Sequence, residues 1–329
     1  MKIAINGMGR IGRAALKIIN ETEQLEVVAV NDLVSLDNIT YLLKYDSVYG
    51  IYEKKVTHSE NELIVDGKSI KFFNERNPED LPWAELGIDV VIESTGVFTK
   101  SEDLERHLKA GAKTVVLSAP TKSTNTPTIV HGVNNHSDNN QFFSCASCTT
   151  NNISPIMEIL GRRLGVEKAI MTTIHAYTAS QDLVDSPSKN NFRLGRAGAA
   201  NIIPTTTGAA IATTLVLPEF QNKFDGVAVR VPIPVGSLSD ITIVLSKKTS
   251  AEVVNEILKE EAATNRYKEV LAVTNEPIVS SDIVKNPYAS TVDLSMTKVV
   301  DGDLLKIMTW YDNEWGFTNQ MIRQILEMK

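Results

Sequence analysis

The sequence predicts an α/β chain: a Rossmann-type doubly wound parallel sheet joined to an α+β domain with a mostly antiparallel sheet. Three observations carry this. Strand and helix patterns alternate through the first third, and a Gly-x-Gly-x-x-Gly turn links the first strand to the first helix. After about residue 150 the alternation gives way to longer strand-like segments and one long loop. At 329 residues the chain can bury two ordinary cores. The domains are expected at 1–147 and 148–312, with a C-terminal helix over 313–329 completing the first.

Taken in order, "KIAIN" (2–6) reads as a short buried strand, and "RIGRAALKIIN" (10–20) as a helix with Ile11, Ala14, Ala15, Ile18 and Ile19 on one side. "LEVVAVND" (25–32) is a second strand, and 36–45 a second helix. "LIVDGKSIKFF" (63–73) is a hairpin turning at Asp66-Gly67. A strand (89–94), a helix (101–111) and a strand (113–118) follow. Beyond residue 150 a helix (150–165) leads into a strand (168–178), then a Ser-, Asn- and Gly-rich loop over 179–201. A loop of that length points to function or a subunit contact. Segments 226–234, 237–246, 289–300 and 304–312 fit an antiparallel sheet. Ser250 caps an amphipathic helix over 250–264, and a last helix spans roughly 316–328.

A net charge of −7, with 43% apolar and 22% charged residues, suits a soluble protein and disfavours a broad nucleic-acid surface. No apolar run approaches the roughly 20 residues of a membrane helix, and "MKIAIN" runs straight into a strand without a leader pattern. Two cysteines three residues apart cannot staple a secreted fold. A cytoplasmic protein is expected.

The first turn, "NGMGRIGR", places Gly7, Gly9 and Gly12 between strand and helix. Such glycines allow a tight turn, close approach of backbone to a pyrophosphate, and helix–strand packing, while the helix N-terminus attracts the anion. Asp32 follows Gly12 by twenty residues at the end of the second strand. An acidic side chain there accepts from ribose hydroxyls and repels a 2′-phosphate, which favours NAD. Ser94, Thr95 and Ser118 stand at later strand ends, where an open parallel sheet lines its ligand crevice.

Both cysteines of the chain lie in "SCASCTTNN", as Cys145 and Cys148. Zinc would need further ligands that the sequence does not offer. A redox dithiol or two inert buried thiols are alternatives. The reading preferred is one activated thiol, Cys148, at the start of a helix whose N–H groups lower its pKa. His175, on the strand after that helix, is then the candidate base. A thiol beside a nicotinamide suggests aldehyde oxidation through a hemithioacetal and a thioester.

With "INGMGRIGR", "VNDL", "LLKYDSVYG", "ESTGVF", "ASCTTN", "TIHAYT", "IIPTTTGAA", "VRVPIP" and "WYDNEWGF" in this order, the chain resembles the phosphorylating glyceraldehyde-3-phosphate dehydrogenase family over essentially its whole length. The resemblance implies a homotetramer that takes NAD, glyceraldehyde 3-phosphate and inorganic phosphate. It casts Cys148 as nucleophile and His175 as base. Asn6, Gly7, Gly9, Arg10, Ile11, Gly12, Asp32, Arg76, Thr95, Gly96, Ser118 and Asn313 match cofactor positions, Asn313 orienting the nicotinamide carboxamide. Thr178 and Arg230 match the site for the substrate's own phosphate. Ser147, Thr149, Thr207 and Gly208 match that for inorganic phosphate, with Arg193 near it, and the 179–201 loop reaches toward a neighbouring subunit. No metal is implied. Rival readings are erythrose-4-phosphate dehydrogenase, whose branch tends to lack the intact "TTTG" of 205–208, and a non-catalytic thiol sensor on the same fold. Departures from the family pattern are Asn152 for a second cysteine, Cys145 for an asparagine, Ser180 for an aspartate, Ser186 for a leucine, Ile211 for a lysine and Phe317 for a tyrosine.

Overall fold

A computed structural model of the chain describes residues 1–135, 140–188 and 191–328. Residues 189–190 of the long loop and Lys329 of the expected last helix lie outside the described residues. Contacts divide the chain into one unit of 1–129, 135–146 and 321–329 and another of 130–134 and 147–320.

In the first unit an eight-stranded sheet runs Phe142–Ser144, Thr114–Leu117, Val90–Glu93, Lys2–Asn6, Glu26–Asn31, Lys68–Phe73, Glu62–Val65, Val56–His58. The strands from Phe142–Ser144 to Lys68–Phe73 are parallel, and the last two add antiparallel. Parallel strands covered on both faces require continuous apolar runs. Accordingly Ile3, Ala4, Ile5, Val91 and Ile92 have no exposed surface. The hairpin turn has Asp66 at φ 49° and Gly67 at φ 79°, the positive pair that a two-residue turn of this twist needs. Strand order reverses between Lys2–Asn6 and Val90–Glu93, and a doubly wound sheet opens its ligand crevice at such a point.

The second unit's sheet runs Ile203–Thr206, Phe224–Val231, Val166–Ala176, Ser237–Leu245, Leu304–Tyr311, Ser290–Asp293, Leu271–Thr274. Helix Cys148–Leu164 packs on its central strands, and Ser237–Leu245 alternates buried and half-buried residues as one covered face dictates. Two expectations need correction. Phe224–Val231 pairs parallel, not antiparallel, with Val166–Ala176. The segment 289–300 is broken into Ser290–Asp293 and Lys298–Val300, because the Asp293 carboxylate accepts from Ser295 N (3.2 Å) and Oγ (2.6 Å) and turns the chain through Leu294–Met296. No helix among the described residues is long and apolar enough to cross a membrane.

The first turn tolerates no side chain at two of its glycines. Gly7 has φ +96°, and a Cβ there would lie 2.6 Å from Thr95 N; one on Gly12 would lie 2.0 Å from Gly7 O. Gly12→Ala is therefore expected to cost about 1–3 kcal/mol, read as a lower thermal midpoint. An unchanged midpoint would show that the turn relaxes freely.

Candidate active site

In the first unit a cavity of about 300 Å³ opens at the switch point, lined by Asn6, Gly7, Gly9, Asn31, Asp32, Leu33, Glu75, Arg76, Ser94, Thr95, Val97 and Phe98. Its floor is fixed by short bonds. Gly7 N donates to Asn31 O (2.8 Å), Met8 N to Asp32 Oδ2 (2.6 Å), and Ser94 Oγ to Gly7 O (2.7 Å). Gly9 caps helix Arg10–Ile19 without a side-chain bond, and that helix has no acidic residue in its first turn. A Cβ on Gly9 would meet no protein atom within 4 Å. This glycine leaves room for something other than protein, beside the N-terminus of a helix, which is the cradle a pyrophosphate fits.

Among the other expected cofactor residues, Arg76 lines the cavity with an exposed side chain. Arg10 instead pairs with Asp46 (2.6 Å) and stands over the Tyr49 ring (5.2 Å), so its helix-start backbone, not its guanidinium, faces an anion at the turn. Despite burial, backbone donors from Tyr49 and Val48 together with Arg10 hold the Asp46 carboxyl below its usual range. Ile11 is half-buried beside Arg10. Gly96 turns at φ +72°, with open space at its Cβ. Ser118 N donates to Glu93 O (3.0 Å) one strand over, and neither Gly96 nor Ser118 lines the cavity itself.

In the second unit Cys148 is the first residue of helix Cys148–Leu164, capped by Ser147, whose Oγ accepts from Thr150 N (3.1 Å). Cys148 Sγ lies 3.4 Å from His175 Nε2. His175 stands on Val166–Ala176 directly opposite Arg230 in the parallel pair. Arg230 Nη1 reaches His175 Nδ1 (2.5 Å) and Ala176 O (3.1 Å). Nδ1 also lies 2.7 Å from Ala176 O. A guanidinium can only donate and a carbonyl can only accept. Nδ1 therefore either accepts from Arg230, with the ring proton on Nε2 facing the sulfur, or donates to Ala176 O and leaves Nε2 to accept. Burial, with Arg230's charge adding to it, holds the imidazolium down to about 3. Burial is the largest influence on the Cys148 thiol, and the net shift is upward. Arg230, the Thr149 side chain and, as expected, the helix-start N–H groups of Cys148 and Thr149 act to lower it and pull it part of the way back.

Arg230 Nε is buried and unpartnered, an orphan donor suited to an anion. Thr178 Oγ1 shares a hydrogen bond with Ser180 Oγ (2.8 Å), so the departure to serine preserves a polar contact there. Thr207 Oγ1 accepts from Ala209 N (3.2 Å) at the start of Ala209–Val216, with Gly208 exposed beside it. Thr149 is buried, and its Oγ1 shares a hydrogen bond with Tyr311 Oη (2.8 Å). Exposed Arg193 lies in the loop and donates to Pro204 O (3.4 Å), just ahead of that phosphate segment. Asn313 Oδ1 accepts from Gly236 N (3.2 Å) and Ser237 Oγ (3.0 Å), which fixes its amide plane.

Tyr311 is absent from the sequence reading. It bonds both Thr149 and Thr173 (2.8 Å each) and sets its ring edge-on to His175 at 5.9 Å. Its only local signal was the "WYDNE" motif. Glu93 and His107, buried beneath the cavity, were missed as well. Among the described residues no three His, Cys, Asp or Glu side chains gather as a metal site would require.

A dinucleotide-type fold together with a thiol–imidazole pair defines the class of nicotinamide-dependent enzymes with a cysteine nucleophile. Comparison with known proteins narrows this. Residues 1–101 match the NAD binding domain of glyceraldehyde 3-phosphate dehydrogenase, and residues 147–313 match its C-terminal domain. The glyceraldehyde-3-phosphate dehydrogenase of Streptomyces coelicolor is 47% identical over 326 residues, spanning 98% of this chain and 96% of its own length. That of Thermotoga maritima is 48% identical over 325 residues, 98% of this chain and 97% of its own. The chain belongs to the glyceraldehyde 3-phosphate dehydrogenase family, and its cofactor is NAD.

Arg230 lowers the pKa of both His175 and Cys148. In Arg230→Met both should titrate higher, so the pH profile of Cys148 alkylation by iodoacetamide moves to higher pH. A profile that stays in place or moves to lower pH would remove Arg230 from the electrostatics of the pair.

Proposed function

We propose that this chain oxidises glyceraldehyde 3-phosphate to 1,3-bisphosphoglycerate with NAD and inorganic phosphate. The observation that carries the reading is Cys148 Sγ at 3.4 Å from His175 Nε2, beside a guanidinium with an orphan N–H. NAD, when bound in the glycine-turn cavity, supplies the hydride acceptor; Asp32 answers its ribose hydroxyls and Asn313 its carboxamide.

The Cys148 sulfur adds to the aldehyde carbon, forming a C–S bond as its S–H bond breaks and the thiol proton passes to the carbonyl oxygen, which gives a hemithioacetal. Loss of hydride from that carbon and of the hydroxyl proton leaves a thioester on Cys148. Phosphate then attacks the thioester carbonyl, and the C–S bond breaks to return the sulfur and release the acyl phosphate. Nε2–H of His175 donates to the sulfur or the carbonyl oxygen. To take the hydroxyl proton, the ring must first hold its own proton on Nδ1, toward Ala176 O at 2.7 Å. That arrangement requires Arg230 to leave Nδ1, and the substrate's phosphate, held with Thr178, is the anion that draws it away. Thr207, Gly208 and Ser147 receive inorganic phosphate, with Arg193 nearby.

A homotetramer in the cytoplasm completes this reading. Leu183, Val184, Phe192 and Ile202, in and after the long loop, are each 70% or more exposed, and large apolar side chains left in water along one segment support an assembly.

The test is NADH formation at 340 nm from purified protein. Turnover should require glyceraldehyde 3-phosphate, NAD and phosphate (or arsenate) together; its absence with all present would sink the reading. Cys148→Ser should abolish it, Cys145→Ser should retain it, and His175→Asn should lose about 10²–10⁴-fold. Unphosphorylated glyceraldehyde should lose kcat as well as KM, because it leaves Arg230 on Nδ1.

A further inference from the structure

Beneath the glycine-turn cavity lies a polar cluster that the reaction does not use. Glu93 ends its strand with no exposed surface and meets only donors. These are Asn6 Nδ2 (2.6 Å), His107 Nε2 (3.1 Å), Thr95 N (2.8 Å) and Thr95 Oγ1 (2.5 Å). A carboxylate has about four acceptor sites, so this one is saturated. Wholly buried Trp83 donates its Nε1–H to His107 Nδ1 (3.0 Å). An indole nitrogen can only donate, so Nδ1 accepts and Nε2 carries the proton that His107 gives to Glu93. On the other side Asn6 Oδ1 accepts from Asn31 Nδ2 (2.7 Å), and Asn31 is held twice to Glu75 (2.9 Å each). Thr95 Oγ1 in turn accepts from Val97 N (3.1 Å).

Every bond in this chain has one allowed direction, and it ends on residues that line the cavity, whereas Trp83 and His107 do not line it. Buried polar groups are costly unless fully paired, and an apolar filling would hold the core as well. What such a filling could not do is orient the Asn6 amide and the 95–97 turn. We propose that Trp83, His107 and Glu93 form a positioning relay for the cofactor, so that affinity for NAD depends on two residues that never touch it. The inference rests on the reading that NAD occupies this cavity.

The experiment measures the NAD dissociation constant by calorimetric titration, with KM for each substrate and kcat, on variants shown to be folded by circular dichroism. His107→Leu should weaken NAD binding and raise its KM roughly tenfold, with kcat at saturating NAD and the aldehyde KM within about twofold of the unaltered enzyme. His107→Gln should restore most of the loss, since one amide can accept from Trp83 and donate to Glu93. Should His107→Leu not fold, Trp83→Phe carries the comparison, with a loss of a few-fold expected. NAD binding unchanged in folded His107→Leu or, failing that, in Trp83→Phe overturns the relay, as does a Gln variant no better than Leu. Gly9→Ala is the control for the cavity. If it weakens NAD while His107→Leu does not, the relay alone fails; if Gly9→Ala leaves NAD binding intact, the cavity assignment fails and the relay with it.

Discussion

The register of one parallel strand pair governs the chemistry of the second unit. By setting His175 opposite Arg230, the pairing of Val166–Ala176 with Phe224–Val231 places a guanidinium against an imidazole and leaves the other ring nitrogen to face Cys148. A slip of one residue would turn either side chain to the opposite face and dissolve the site. Helix Cys148–Leu164 fixes the third member, because Ser147 pins its first turn and its buried side covers the same sheet. The thiol, the imidazole and the anion donor are thus held by backbone hydrogen bonds, not by a loop that must order itself.

Arg230 acts in opposite senses on the two states of this pair. Its charge favours a thiolate at Cys148 and disfavours an imidazolium at His175. While it stays on Nδ1, the ring is a donor toward sulfur; once an anion takes the guanidinium, the ring can become a base. In the proposed reaction the substrate's phosphate would thereby contribute to the chemical step as well as to binding, which is how remote binding energy raises kcat.

What could be read from the sequence was local in the chain. The glycine turn, Asp32 and the strand–helix alternation are written over a few consecutive residues, and the structure follows them closely. Cys148 and His175 were legible because each sits inside a short motif, but their 3.4 Å contact had to come from folding. Glu93, His107 and Trp83 were not legible, since each alone is an ordinary strand, helix or core residue and only the sheet brings them together. Thr149 shows both cases. Its position in the motif suggested a hydroxyl beside the thiol, but not that a tyrosine 162 residues away in sequence shares a hydrogen bond with that hydroxyl. The parallel pairing of Phe224–Val231 escaped prediction for the same reason: alternation of apolar residues reports a half-buried strand, not its partner's direction.

The two departures around the thiol also find physical reasons. Asn152 is wholly buried and its Nδ2 faces Ala289 O, Ser290 Oγ, Thr309 Oγ1 and Trp310 O at 3.2–3.4 Å. Its amide joins the helix to the ends of two strands, so a thiol there would strip donors from buried carbonyls. Cys145 is almost wholly buried, and burial pushes its thiol well above the ordinary range. Since the thiolate is the reactive form, that cysteine is chemically quiet. The C-x-x-C spacing thus brings together one packing residue and one thiol that faces His175, divided by a left-handed Ala146 at φ 59°. The same element differs at the two positions because its surroundings differ, and only Cys148 has an imidazole and a guanidinium within reach of its charge.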